Sequence, residues 1–297
     1  MIRFSGVYAA LLTPRSTCGE LDLTSFRAQL AAPAADKLAG YAVNGATGEF
    51  TVSRVEELAQ LVKAARDTAP NAQILCGIGA CDVPGAVARG HAAADAGADA
   101  VLLPMPSFFP YRQDDLRAFT IAVARELSLP VLLYNLPQFT SGLTPETVLS
   151  LLGAYSNIVG VKDSSGSLDI VRAMTDAKVD AARIIGNDSA LCDAMEQGLC
   201  DGVVSGVACT LPELMTSLYA TGGNGDDFSR YKDLLDDFIE HLGTLPTPWG
   251  LKVTSAVRGF ARESYPFPLS TERAEEAAQL RGWFVDWMNK ATEAGAA

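Results

Sequence analysis

Eight short apolar runs, each followed by a stretch with helical periodicity, constrain this chain more than any other feature. They are GVYAALLTP from Gly6, GYAVNG from Gly40, QILCGIG from Gln73, DAVLLP from Asp99, PVLLYN from Pro130, NIVGVKD from Asn157, ARIIGND from Ala182 and DGVVSG from Asp201. A continuous apolar run, as opposed to apolar–polar alternation, marks a strand covered on both faces, as in a parallel sheet with helices packed outside it.

The intervening segments read as helices. In SRVEELAQLVKAARDTA, Val55, Leu58, Leu61 and Val62 recur at helical intervals behind Ser53, a residue able to cap the first turn. In LTPETVLSLLGAY, Thr144 suits the N-cap, Pro145 the first helical position, and Glu146 the positive end of the helix. Eight such units, repeating every 20 to 35 residues or about that, are the number that closes a (β/α)8 TIM barrel, with a doubly wound open sheet as the rival α/β fold. From Leu211 onward only helical patterns remain, so residues 1–210 are expected to form the barrel. Residues 211–297 are expected to complete and flank it, burying the stripe Phe228, Tyr231, Leu234, Leu235 and Phe238.

Charge and composition narrow the function. Lys and Arg number 23 against 35 Asp and Glu, and the net charge of −12 disfavours nucleic acid and anionic membrane surfaces as partners. No stretch reaches the ~18 apolar residues that span a bilayer, and MIRFSGVYAALLTP reads better as an opening strand than as a signal peptide. The six cysteines include no C-x-x-C pair and fit a reduced, cytoplasmic setting. With only His91 and His241 in the chain, no metal site is expected.

In a barrel of this type chemistry sits at the C-terminal ends of the strands. Those ends are polar here: Thr13-Pro14, Asn44 to Glu49, Tyr134-Asn135, Lys162 to Ser165, Gly186-Asn187-Asp188 and Ser205-Gly206. Lys162 follows Ile158, Val159 and Val161 directly. Burial disfavours an ammonium ion, and a neutral amine attacks a ketone carbonyl to form a Schiff base. A lysine reaching over the rim to pair with Asp163 fits the spacing equally well. Tyr134 could shuttle protons for imine formation or be a core tyrosine with a satisfied hydroxyl. The Gly45-Ala46-Thr47-Gly48 turn offers backbone N–H groups and one hydroxyl, a nest suited to a carboxylate, although most such turns only reverse the chain.

Thr13-Pro14, GATGE from Gly45 to Glu49, YNLP from Tyr134 to Pro137 and GVKDSSG from Gly160 to Gly166 stand in the order and spacing of one family. Over essentially its whole length the chain resembles the pyruvate-dependent class I aldolases typified by N-acetylneuraminate lyase and dihydrodipicolinate synthase. That resemblance implies a TIM barrel with C-terminal helices, usually a homotetramer, needing no cofactor or metal. It implies that Lys162 forms an imine with pyruvate or another 2-keto acid and that Tyr134 is the acid/base. Thr47 and the adjacent turn amides would hold the keto acid's carboxylate, with Val204 against the pyruvyl group.

Several positions depart from the family's pattern. Phe139 stands where the synthases carry an arginine that grips the carboxylate of their aldehyde. Ala46 replaces a hydroxyl residue, and Phe108 falls where the synthases use a second tyrosine, leaving Tyr111 as a neighbour that could reach a site, including one in a neighbouring subunit. Asp188 matches the first member of the sialate lyases' acid pair, but Ser189 replaces the second. Thr13, Gly45, Ala46, Thr47, Phe139, Ser164, Gly186, Asp188, Val204 and Ser205 are therefore the expected substrate contacts, with Asp188, Ser164 and Ser205 suited to hydroxyls of a short polyhydroxy chain. The leading expectation is a lyase that reversibly cleaves a 4-hydroxy or 3-deoxy 2-keto acid to pyruvate and an aldehyde. The alternatives are the synthase, a 2-keto-3-deoxy sugar acid dehydratase, and a non-catalytic keto-acid sensor.

Overall fold

The computed structural model describes residues 3–293. Its eight strands are β1 (Gly6–Ala10), β2 (Gly40–Val43), β3 (Gln73–Gly77), β4 (Ala100–Pro104), β5 (Val131–Asn135), β6 (Ile158–Asp163), β7 (Ala182–Ile185) and β8 (Gly202–Ser205). Each falls inside one of the apolar runs. All neighbouring pairs are parallel, and β8 returns to β1 with Val7 opposite Val203, which closes the barrel and excludes the open sheet.

Apolar side chains on both faces explain why the runs do not alternate. Tyr8, Ala10, Ala42, Leu75, Leu102, Leu132, Ile184 and Val204 point inward and fill the barrel. Val7, Val43, Ile74, Val101, Leu103, Leu133 and Val203 point outward and pack against the helices. Side chains alternate across a strand, so each one contributes to both cores.

The helices that follow are α1 (Leu23–Leu30), α2 (Val55–Thr68), α3 (Val83–Asp95), α4 (Gln113–Glu126), α5 (Pro145–Ala154), α6 (Asp169–Asp176), α7 (Leu191–Glu196) and α8 (Pro212–Ala220). Thr144 caps α5 as its sequence predicts, its hydroxyl accepting from the Thr147 amide at 3.3 Å. Ser53 does not cap α2. Helix α2 starts one residue later, with Arg54 at the cap, and the Glu57 carboxylate reaches back to accept from the Arg54 amide at 2.9 Å. Glu57 also takes the Arg15 guanidinium at 2.8 Å, and this second partner fixes its position. The ion pair holds the carboxyl well below the usual range, at about 2.

Helix α8 packs on β1, and α9 (Gly225–Leu242), α10 (Trp249–Val257) and α11 (Thr271–Glu293) extend from it. Of the apolar stripe of α9, Phe228, Leu235 and Phe238 are buried and Tyr231 and Leu234 partly so, with Phe238 lying 5.3 Å from Trp287 and 5.7 Å from Phe284 of α11, centroid to centroid. None of the described helices is long and apolar enough to cross a membrane.

One buried ion pair ties the C-terminal helices to the barrel mouth. Lys252 of α10, 3% exposed, donates to the Glu49 carboxylate at 2.6 Å and to the Ser264 carbonyl, with the Tyr265 ring 5.4 Å away. Burial pulls its pKa down and Glu49 opposes the shift. Truncating one partner of such a pair strands the other's charge. Lys252→Met is therefore expected to cost about 3 kcal/mol in urea unfolding. Lys252→Met with Glu49→Gln should cost measurably less than Lys252→Met alone, because no charge is left behind.

Candidate active site

Strand register sets the central pair. On β5 and β6, Tyr134 lies opposite Lys162 and Asn135 opposite Asp163. Alternation sends Tyr134 and Lys162 into the barrel mouth and the other two outward, where Asn135 Nδ2 donates to Asp163 Oδ1 at 2.9 Å. The Ser165 amide donates to the same oxygen at 3.0 Å. Burial pushes the Asp163 pKa up, partly offset by these donors.

The carboxylate next to Lys162 in sequence is thus turned away and engaged elsewhere. Lys162 is 3% exposed, its Nζ lies 4.0 Å from the Tyr134 ring centroid, and no described carboxylate comes within ion-pairing distance. The rim-spanning lysine paired to Asp163 is not what the structure contains. Nor does the Tyr134 hydroxyl have a hydrogen-bond partner among the described residues, so it is not a satisfied core tyrosine.

Gly186, just beyond β7, makes this placement of Lys162 possible. A Cβ there would sit 2.7 Å from Lys162 Cε and 2.2 Å from Ser164 Oγ, closer than real Cβ atoms come to neighbours. The absent side chain is the channel along which the lysine runs.

Lys162 and Tyr134 open into a cavity of about 300 Å³, whose floor also includes Ala46, Thr47, Ser164, Gly186, Asp188 and Val204, with Phe139 at the rim. Neither the Ala46 nor the Thr47 amide donates to a protein acceptor among the described residues, which leaves both N–H groups for an anion. Asp188 is partly exposed as a residue, yet its Oδ1 is shut off from solvent without a partner, while Oδ2 accepts from the Val207 amide at 3.2 Å. Burial pushes its pKa up, with Ser205, Val207 and the Lys162 charge opposing. Ser164 Oγ is likewise buried and unpartnered.

Three expected contacts do not line this cavity. Thr13 spends its hydroxyl on the Gly48 carbonyl at 2.8 Å, bracing the turn from behind. Gly45 accepts from the Phe50 amide and shapes the same turn. Ser205 is fully buried, its Oγ accepting from the Ala208 amide at 2.9 Å. Phe108, 88% exposed at φ 82°, and Tyr111, packed against the outer core, are also absent from the lining.

The sequence reading missed one whole wall. Ile239 and Leu242 at the end of α9, Leu245 and Pro246 in the connection, and Leu251 of α10 line the cavity opposite the strand ends. Strand-end reasoning could not reach them, since they come from helices. The only signal was the apolar, Pro-rich character of the LGTLPTPWG segment after α9.

The sequence pattern of the Dihydrodipicolinate synthetase family matches residues 3–283. A 4-hydroxy-tetrahydrodipicolinate synthase of Xanthomonas campestris pv. campestris is 35% identical over 253 residues, 84% of this chain and 83% of that one. Among solved structures, the 4-hydroxy-tetrahydrodipicolinate synthase of Methylacidiphilum fumariolicum SolV superposes with a TM-score of 0.88 at 25% identity, covering 98% of this chain and 99% of that one. A prophage protein of the dihydrodipicolinic acid synthase family from E. coli K12, solved in complex with pyruvate, gives 0.86 at 25% identity, covering 97% and 99%.

The Gly186 contact gives a direct test of the lysine's placement. Gly186→Ala should displace the Lys162 amine by a fraction of an ångström to an ångström and cut its reactivity toward a 2-keto acid about 100-fold. Stopped imine trapping measures this, and an unchanged melting temperature separates it from misfolding.

Proposed function

The chain belongs to the dihydrodipicolinate synthetase family, and on that premise we propose that it is a lyase working through a Schiff base on Lys162. Its substrate in this reading is a 4-hydroxy-2-keto acid, reversibly cleaved to pyruvate and an aldehyde. The observation that carries the proposal is an enclosed amine, with no counter-carboxylate among the described residues, beside an unpartnered phenol in the cavity at the barrel mouth.

In the condensing direction the Lys162 amine attacks C2 of pyruvate, and the carbinolamine loses water to give the iminium. Tyr134 carries protons to and from the departing oxygen. The amides of Ala46 and Thr47, with the Thr47 hydroxyl, hold the carboxylate, and Val204 lies against the methyl group. Loss of a methyl proton gives an enamine, whose C3 attacks the aldehyde carbon while the carbonyl π pair moves to oxygen. That oxygen takes a proton, and water hydrolyses the iminium to return Lys162. Cleavage runs the same steps backward, the iminium accepting the electrons of the C3–C4 bond.

Asp188 supplies the proton at the C4 oxygen. Burial keeps its carboxyl protonated further up the pH scale than an ordinary aspartate, and the residue lines the same cavity as Lys162. The same donor would protonate a leaving C4 hydroxyl, and this favours dehydration as the second reading. The synthase reading lacks a cation for a second carboxylate, because Phe139 occupies the rim and no arginine among the described residues lines the cavity.

The six free cysteines support a cytoplasmic setting. Homotetramer formation belongs to the same proposal, supported by the exposed Phe108 and Phe109, stacked edge to face at 4.9 Å, which offer an apolar surface for a partner subunit.

Incubation with pyruvate and borohydride should leave one reduced pyruvyl group on the peptide containing Lys162. Tight pyruvate binding by calorimetry without that adduct would favour a sensor. Asp188→Asn is expected to keep the adduct and lower aldol turnover about 100-fold. Because the Asp188 proton is lost as pH rises through the raised pKa, wild-type turnover should fall on that alkaline limb, and the limb should be missing from the variant's profile.

A further inference from the structure

The floor and the upper wall of the cavity differ in chemistry. The floor around Lys162 is polar: Tyr134, Ser164 and Asp188 line it, together with the Ala46–Thr47 turn, whose two amides have no protein acceptor among the described residues. Of the three other polar side chains near the strand ends, Gln138, Asn187 and Ser189, the first two are engaged by their own loops. Gln138 Nε2 donates to the Ser164 carbonyl at 2.8 Å, and Asn187 Oδ1 accepts from the Ser189 amide at 3.1 Å.

Above this floor, the wall from α9 and α10 presents Ile239, Leu242, Leu245, Pro246 and Leu251, with the Thr247 hydroxyl as its one polar side chain. Phe139, 58% exposed, continues the apolar surface at the rim. This wall is fixed in place. A Cβ on Gly206 would touch Leu251 at 3.0 Å, one on Gly250 would touch Leu242 at 2.8 Å, and Lys252 locks the start of α10 to Glu49.

Among the described lining residues no second basic side chain accompanies Lys162. Once it is an iminium its charge balances the pyruvyl carboxylate, and nothing remains to neutralise a second anion. An unpaired charge moved into such surroundings is strongly disfavoured, whereas a hydrocarbon chain gains by leaving water. Past the floor, the upper wall offers a tail five apolar side chains and the single hydroxyl of Thr247.

Resting on the imine reading above, we propose that the aldehyde half of the substrate is uncharged and apolar, an aliphatic or aromatic aldehyde. The enzyme would then make or cleave 4-hydroxy-2-keto acids with a hydrocarbon tail. Pyruvate and the aldehyde combine with no net loss of atoms, the water released on imine formation being consumed when the product iminium is hydrolysed.

The test is a panel of benzaldehyde, hexanal, glyceraldehyde and succinic semialdehyde with pyruvate, following condensation product, alongside borohydride trapping of pyruvate alone. Benzaldehyde or hexanal should exceed both others in kcat/KM at least tenfold. Phe139→Arg, placing a cation at an exposed rim position where folding is not at stake, should narrow the gap between the hydrocarbon aldehydes and succinic semialdehyde at least tenfold. Preference for glyceraldehyde or succinic semialdehyde, no turnover of the hydrocarbon aldehydes despite trapped pyruvate, or a ranking unchanged by Phe139→Arg would each overturn the proposal while leaving the imine intact. Failure to trap pyruvate would instead overturn the imine reading and this proposal with it.

Discussion

Enclosing an amine without a carboxylate beside it runs against the usual rule that buried charges are paired, and the barrel mouth is arranged so that this can happen at Lys162. Register sends the adjacent Asp163 outward to Asn135 and Ser165. The missing side chain of Gly186 opens the path for the lysine's stem. The one other acid nearby, Asp188, is itself pushed toward its neutral form by burial. A carboxylate fixed on Lys162 would hold it as an ammonium ion, with no lone pair to give to a carbonyl carbon. The arrangement of neighbours therefore matters as much to the chemistry as the lysine itself.

The same separation of faces explains how much could be read from the sequence. Strands covered on both sides appear as unbroken apolar runs, so β1 to β8 were visible, and eight parallel strands close only one way. Lys162, Tyr134, Thr47, Gly186 and Asp188 stand at strand ends and could be found by counting from those runs. Ser53 misled because capping was decided by Glu57, whose second partner, Arg15, comes from a loop after β1. Thr13 and Ser205 misled for a related reason: a polar residue at a strand end can face the cavity or brace the loop behind it, and hydrogen bonds to Gly48 and Ala208 put both on the bracing side.

The wall formed by α9 and α10 was not legible. Ile239, Leu242, Leu245 and Leu251 have the ordinary look of helix-packing residues, and several do pack on the core. What makes part of their surface line a cavity is the direction from which α10 crosses the barrel mouth, set by the Lys252–Glu49 pair and by the close approaches at Gly206 and Gly250. The ion pair joins residues 203 positions apart, and neither it nor the two close approaches leaves a periodic trace in the chain.

Floor and wall thus answer to different physical demands. In the proposed chemistry the floor binds an anion, lowers the cost of forming an iminium and moves protons, and its residues come from strand ends whose geometry the closed barrel fixes. The wall needs only to favour one kind of tail over another, and it is carried by helices that the barrel does not require for closure. Substituting wall residues can alter what enters without disturbing the amine, whereas changing a strand end moves the reacting atoms. In this chain the net charge of −12 sharpens the division: the acidic exterior repels anions at long range, while the amides of Ala46 and Thr47, without a protein acceptor among the described residues, would in the proposed chemistry attract one carboxylate at short range. A substrate carrying a single carboxylate and an apolar remainder meets both conditions with the fewest uncompensated groups.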